Sequence, residues 1–600
     1  MIKLATVFSG IGAVEHALNR MDIDTEIVFA CDNGDIDVLS KKIDVNLDQI
    51  EEELNSLKSL IDNMEFAEED DYEQQLITML NLAENEFKNL KDIFKLINID
   101  EYEEKVKSVL NIILKTSNLN KSRKKDYSNF LDSLNSKCSS EQKKLFLFQI
   151  ILKLSNDFKK DNSLDDLGKK NVKFNSSLNI DWNQVNASLK GLYDFLELHN
   201  GKKIIRNVRN LSQRVGQLHG KINSLHHLDE LNKIKDYSEK KKYVDELYKG
   251  NEKRNKVKIS YMANYDCPEE HFHWDVTFLD GHQYRNQVDL FVGGSPCQSF
   301  SLVGKQRGLS DTRGTLFYEY ARLIDEIQPK VFIYENVRAV LSNDCGRTWE
   351  KMKEVFQQLG YNVYFTHNDK PSILNAKDYG IPQNRERLFV VGFRSDLQLE
   401  KEFEFPQPIP LTKTMQDFLM DNAPGGYFLP KKGVDFVTME KNLNKKFTQI
   451  DGDIALCQKK NQEFNWHGDF VFQSEEDAEK NNIPDLEKYF LSEKVKKYVL
   501  SSGTKGFYSK PQTDLEVARP LLTTVHKMHR AGVDNYVTTE GRLRKLTPRE
   551  CLRLMGFSDD WVIVVSDTAM YQQAGNSIVV DVLIHIINEI LRSYPRLLNN

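Results

Sequence analysis

Six hundred residues, 40% hydrophobic and 28% charged with a mean hydropathy of −0.53, describe a globular chain of roughly two to four domains. A net charge of −7 excludes a wholesale polybasic protein, so any nucleic-acid contact must come from a local patch. Seven cysteines, odd and sparse, argue against a disulfide scaffold and for a reducing, cytoplasmic setting, and the absence of an apolar run of about 18 residues argues against a membrane span.

Residues 2–8 read as a strand, Ser9-Gly10-Ile11-Gly12 as a turn and Ala13–Arg20 as a helix; Glu26–Ala30 is a second strand ending at Cys31-Asp32. This βαβ opening places glycines at the turn and a carboxylate twenty residues past Gly12, a nucleotide-binding pattern that also occurs in folds binding no nucleotide. From Val38 to Lys253 the character changes. All fifteen prolines lie between Pro268 and Pro595, whereas an even density would place about six or seven in the first 267 residues. Ile50, Leu54, Leu57, Ile61 and Met64 form one heptad seam, and Ile204, Val208, Leu211, Val215, Leu218, Ile222 and Leu225 form another. Residues 51–110 carry 17 acids against 6 bases, and residues 201–258 carry 7 against 16. The opposite charges fit an antiparallel coiled-coil stalk; a compact bundle whose seams face its own core fits equally. After Lys256, strand-like Val288–Val292, Val331–Tyr334 and Leu388–Phe393 alternate with helical Leu316–Ile327 and Thr348–Leu359, the signature of a parallel sheet covered on both faces. Pro406, Pro408 and Pro410 mark a boundary, beyond which a polar, irregular stretch reads as a smaller domain, and an amphipathic helix follows Asn576.

Three strand ends carry chemistry. Val288–Val292 runs into Gly293-Gly294-Ser295-Pro296-Cys297-Gln298-Ser299, placing a cysteine among small neighbours that let a substrate approach its sulfur. Val331–Tyr334 ends in Glu335-Asn336-Val337, a carboxylate able to act as a general acid or to bond a ring nitrogen. Gln383-Asn384-Arg385-Glu386-Arg387 leads into the third, with two guanidinium groups at positions that share a face on an extended chain.

Phe8-Ser-Gly-Ile-Gly12, Ser295-Pro-Cys-Gln298, Arg313-Gly-Thr-Leu-Phe317, Glu335-Asn-Val337, Gln383-Asn-Arg-Glu-Arg387, Leu546-Thr-Pro-Arg-Glu-Cys-Leu-Arg553 and Gln573-Ala-Gly-Asn-Ser577 occur in the order used by the DNA (cytosine-5) methyltransferases, which this chain resembles. The resemblance covers residues 1–37, 255–400 and 541–600. It implies a Rossmann-like α/β methyltransferase sheet with S-adenosylmethionine as cofactor, no metal, double-stranded DNA as substrate, and either a cognate restriction endonuclease as a partner in a bacterial restriction-modification system or an orphan enzyme without one. It further implies that Cys297 attacks C6 of a flipped-out cytosine, with Glu335, Arg385 and Arg387 completing the catalytic set and Gln298, Ser299 and Gln383 meeting the substrate. Phe8, Gly10, Ile11, Gly12, Asp32, Asn33, Asp275, Val276, Pro296, Leu316, Asn576 and Ser577 then surround the cofactor. Two departures stand out: Asp32 where the family more often has Glu, and Trp274 in place of a common glycine before Asp275.

The resulting domain reading is a catalytic domain over 1–37, 255–400 and 571–600, a helical insertion over 38–254, and a target recognition domain over 401–570, in which Thr523–Arg530 offers donors to bases and phosphates. The insertion is expected to contact DNA through its basic half or to pair with a partner. An RNA C5 methyltransferase and a catalytically silent DNA-binding scaffold are the alternatives; the long recognition region weighs against the first, and the Cys297, Glu335 and Arg387 set against the second.

Overall fold

The computed structural model describes residues 1–64, 72–115, 121–159, 182–295, 316–420, 429, 431–459, 467–473, 503–504, 507–508, 542–545 and 547–598. They form two compact units, one made of Met1–Ile36 and the described residues from Asp236 onward, the other of those within Asp37–Lys235.

The first unit is built on an eight-stranded sheet. Its strands are β1 (Ile2–Val7), β2 (Thr25–Cys31), β3 (Phe272–His273), β4 (Leu290–Gly293), β5 (Val331–Val337), β6 (Tyr361–Tyr364), β9 (Ile373–Asn375) and β10 (Glu386–Arg394); the hairpin of β7 (Thr366–His367) and β8 (Lys370–Pro371) stands apart. The order is β3-β2-β1-β4-β5-β10-β6, with β9 also on β10. The pairings among β1 to β5 are parallel, while β10 runs antiparallel to β5, β6 and β9. The all-parallel expectation is thereby corrected to a mixed sheet.

Alternate residues explain why the strands read as unbroken apolar runs. Leu290, Val292, Val331 and Ile333 face a core shared with Ala13–Leu18 and the closing helix Val580–Ser593. On the other face Phe291 stacks on Tyr320 at 5.0 Å, and Phe332 on Phe356 at 5.5 Å, from the helices Leu316–Ile327 and Arg347–Gln358. Both faces are covered, so no polar alternation survives. The stretch Asp567–Ser593 has the length and hydropathy of a membrane span. It is two helices, Asp567–Asn576 and Val580–Ser593, and the apolar side chains Val580, Leu583, Ile586, Ile587 and Ile590 of the second are buried in this core.

Residues 547–570, read from sequence as part of the recognition domain, contribute Cys551, Leu552, Leu554, Met555, Phe557 and Trp561 to the same core. Between Thr448 and Lys545 the described residues include a small sheet in which Gly468–Gln473 pairs parallel with Thr448–Ile450 and antiparallel with Arg542–Lys545. Thr523–Arg530 lies outside the described residues.

In the second unit seven described helices, Leu47–Asp62, Tyr72–Lys95, Asp100–Lys115, Lys121–Asn135, Ser140–Lys159, Trp182–Leu198 and Gly201–Lys233, enclose one core. Both heptad seams bury their apolar residues there, apart from Met64 and Leu225, which pack against the core part-buried, and they do so together with Phe94, Val106, Leu145, Phe148 and Leu192 of the intervening helices. The unit is a bundle rather than a two-helix stalk, because those intervening helices are apolar enough to need the same core. Charge attraction between its ends is local, as where Arg214 pairs with Glu86 at 2.5 Å; His219 is hydrogen-bonded to Glu53 at 2.7 Å.

Candidate active site at the carboxyl edge of the sheet

Parallel registers bring strand ends to one edge. Val7 pairs with Cys31 and Gly293, Gly293 with Tyr334, and Cys31 with His273. The residues that follow these strands collect where doubly wound folds bind ligands, beside the switch point between β1 and β4.

The turn after β1 is drawn tight. Phe8 has φ 53°, Gly10 φ 54° and Gly12 φ 76°. A left-handed phenylalanine is costly, and surrounding bonds hold it there. Ser9 Oγ accepts the Cys31 amide at 3.0 Å and the Thr6 hydroxyl at 2.8 Å, and the Gly10 amide donates to Asp32 Oδ2 at 2.9 Å. Asp32 Oδ1 accepts the Gly34 amide at 2.8 Å. A Cβ on Gly12 would stand 2.1 Å from Tyr265 Cε2, and the Tyr265 hydroxyl donates to the Gly12 carbonyl at 2.7 Å. Gly12 therefore answers both a backbone and a packing demand.

Beyond β3, Asp275 caps a short turn by accepting the Thr277 amide at Oδ1, 2.9 Å away. Its Oδ2 accepts the Tyr248 hydroxyl at 2.7 Å. Tyr248 follows the helix Tyr237–Leu247, which sequence had placed in the insertion but which belongs to the sheet-bearing unit. Composition does not mark this boundary; contacts such as Tyr248 to Asp275 and Lys240 to Asp280 do.

At the other side of the edge, Gly294 lies against Glu335, so closely that a Cβ would meet Oε2 at 2.7 Å. Glu335 Oε1 pairs with Arg387 Nε at 2.9 Å, and both side chains are largely shielded from solvent. Burial pushes the Glu335 carboxyl above the ordinary range; Arg387 and then Arg385 pull the other way. Arg385 takes different partners from Arg387. Its guanidinium donates to the carbonyls of Gln458, Gly575 and Ser577 at 3.0, 3.0 and 2.7 Å, and burial pushes its pKa down to about 10. Gln383, expected against the substrate, is fully buried instead: it donates to the Leu554 carbonyl at 2.7 Å and accepts the Gln458 amide at 3.1 Å. A polar side chain shut away from water must find protein partners, and Gln383 braces the chain segments around it.

Sequence reasoning assigned nothing to Asn336, which anchors the start of the cysteine loop. Its amide donates to the Ser295 carbonyl at 3.2 Å and to the Tyr334 hydroxyl at 2.7 Å, and Ser295 Oγ lies 2.7 Å from that hydroxyl. The signal available was a polar residue continuing a buried strand. Pro296, Cys297, Gln298 and Ser299 lie outside the described residues.

A cleft opens here, lined by Thr6 to Gly10, Val292 to Gly294, Glu335, Asn576, Ser577 and Ile578. Of the expected cofactor residues, Phe8, Gly10, Asn576 and Ser577 line it. Ile11 and Val276 are buried, and Leu316 is half-buried at the head of its helix. Left-handed glycines at a strand-to-helix turn, acidic side chains past the next two strands and a narrow cleft between β1 and β4 fit the elongated, cationic S-adenosylmethionine molecule.

This sheet and edge define a Rossmann-like, S-adenosylmethionine-dependent methyltransferase. The chain belongs to the C-5 cytosine-specific DNA methylase family, whose sequence model matches residues 237–592. It is similar to the Type II methyltransferase M.SsoII of Shigella sonnei, 32% identical over 341 residues that make up 55% of this chain and 70% of the relative. Type II methyltransferase M.HhaI of Haemophilus parahaemolyticus is 32% identical over 304 residues, 50% and 74% of the two chains. The crystal structure of S. pombe Dnmt2 methyltransferase aligns over 62% of this chain and 95% of its own, at 16% identity and a TM-score of 0.34. The protein is thus a DNA (cytosine-5-)-methyltransferase with S-adenosylmethionine as methyl donor, acting on cytosine within specific DNA sequences.

Proposed function

We propose that the enzyme methylates C5 of a cytosine flipped out of double-stranded DNA, through a covalent bond between Cys297 and C6. The observation that carries the reading is the shielded Glu335–Arg387 pair beside Gly294, three residues before Cys297 in sequence. C5 and C6 are out of reach of this chemistry inside the base stack, so the base must leave it. Glu335, whose carboxyl burial holds above the ordinary range, donates to N3 of the cytosine when it carries a proton and accepts from its amino group, drawing electrons from the ring. The Cys297 thiolate then bonds to C6, and the displaced electron pair makes C5 a nucleophile. S-adenosylmethionine supplies the electrophilic methyl group that C5 takes. Loss of the C5 proton returns the electron pair to re-form the C5–C6 double bond and expel the Cys297 thiolate. Arg387 holds Glu335 and meets the cytosine carbonyl, with Arg385 behind it, while Gln298 and Ser299 contact the flipped nucleotide and the DNA.

On the cofactor side, Phe8 stacks on the adenine, Gly10 to Gly12 admit the methionine part, Asp32 and Asn33 meet the ribose edge, and Asp275 and Val276 read the adenine. Pro296, Leu316, Asn576 and Ser577 complete the enclosure. Residues of the 401–546 region read the target sequence, either beside a cognate restriction endonuclease of a restriction-modification system or as an orphan enzyme. Replacing Cys297 by Ser and assaying tritiated methyl transfer tests the route. Transfer is expected to vanish, and a 5-fluorocytosine duplex should trap a covalent adduct with the wild type alone. Full activity in the serine variant would overturn the covalent step.

A further inference from the structure

Tyr248 touches a residue assigned to the cofactor, although it reaches the site along the chain segment returning from the helical unit. It is 1% exposed, and its ring stacks on Trp274 at 4.9 Å with the planes 10° apart. Trp274 is the residue at which this chain departs from the glycine common before the aspartate. The Tyr248 hydroxyl donates to Asp275 Oδ2 at 2.7 Å.

A carboxylate has about four lone-pair sites on two oxygens. Thr277 and Tyr248 take one on each oxygen of Asp275, which fixes the rotation of the carboxylate plane and leaves sites for an incoming donor. Without the second bond the carboxylate would turn about its last torsion, a broad and soft coordinate. We propose that Tyr248 is a positioning residue for the cofactor: it orients Asp275 to accept the exocyclic amino group of adenine, and the Trp274 stack holds it there. Tyr248 acts through Asp275 and makes no contact with the reacting atoms. The inference rests on the reading of Asp275 as the adenine acceptor.

The test uses the full-length protein with Tyr248→Phe, which keeps the ring over Trp274 and removes only the hydroxyl. Binding is titrated with S-adenosylhomocysteine and with its hypoxanthine counterpart, S-inosylhomocysteine, which lacks the amino donor. The variant should bind the adenine compound about tenfold more weakly, the scale of one hydrogen bond to a charged group. It should bind the hypoxanthine compound as the wild type does, with kcat at saturating S-adenosylmethionine unchanged. Equal weakening for both ligands would make Tyr248 a structural residue and overturn the proposal, as would no weakening for either. Thermal melting of the variant checks that it folds. Asp275→Asn separates the two layers of the argument: if it binds both ligands as the wild type does, the adenine reading of Asp275 itself fails.

Discussion

Two acidic side chains at this sheet edge are held away from their ordinary ionisation, and each makes a pH-dependent difference. Glu15 is buried; Oε1 accepts the Tyr261 hydroxyl at 2.6 Å and lies 3.1 Å from the Thr6 hydroxyl oxygen, while Oε2 has no partner among the described residues. Burial raises its pKa above the usual value. The folded state therefore holds a proton that the unfolded chain releases near pH 4.5, and stability falls as pH rises from there through the raised folded value. Glu15→Gln cannot titrate, so the urea midpoint of the variant should gain on the wild type across that window. An identical pH slope in both would mean that Glu15 is ionised in the fold. Glu335 is the second. Its largest opposing influence is Arg387, so Arg387→Ala should push the carboxyl further up. The alkaline limb of the pH profile of kcat/KM, where a protonated Glu335 is lost, should then move to higher pH. The plateau should fall on the order of 10²-fold, the usual weight of a general acid. A limb that stays in place would detach Glu335 from the rate.

At the scale of elements, the sequence was legible where periodicity was decisive and silent where direction or tertiary partners decided. Leu316–Ile327 is a helix over the bounds its apolar spacing indicates, and β1, β2 and β10 lie within two residues of the runs that announce them. β5 was read as ending at Tyr334 because Glu335-Asn336 breaks the apolar run. It continues to Val337, since Glu335 pairs with Phe389 of β10 and Asn336 turns its amide inward. No apolar pattern could show that β10 is antiparallel, because a strand covered on both faces looks the same in either direction. Likewise the Gln383-x-Arg385-x-Arg387 motif read as Gln383 meeting the substrate and Arg385 standing behind Arg387 on a shared face. Packing sends Gln383 to Leu554 and Arg385 to the carbonyls at the start of the closing segment. Arg385 is thus a clasp between the β10 approach and Gly575–Ser577, beside Asn576 of the cleft. Arg385→Lys cannot span three carbonyls with one ammonium, so two or more buried acceptors lose their donor. Unfolding in denaturant should show a loss of about 2–3 kcal/mol. A loss under about half that would mean that water or the lysine replaces the clasp.

The proline-free stretch has its physical counterpart at the scale of the whole chain. The helical unit between Asp37 and Lys235 buries its seams in a core of its own, and that core shares no residue with the core beneath the catalytic sheet. A segment that satisfies its own apolar surface asks nothing of its host except that the chain leave and return. The return is what sequence misplaced. Residues 236–254 share the insertion's lysine-rich, proline-free composition yet carry Tyr248 against Asp275 and Lys240 against Asp280. Two deletions separate these readings. Replacing 37–235 by a short Gly/Ser linker should leave a protein with one cooperative melting transition and S-adenosylhomocysteine affinity within about threefold of the full chain, a difference of less than 1 kcal/mol. Extending the deletion to 254 removes Tyr248 and Lys240 and should weaken that affinity by about tenfold or more, the cost of lost bonds to charged groups. If the shorter deletion melts without a cooperative transition, the two cores are not independent, and the helical unit is part of the catalytic fold rather than inserted into it.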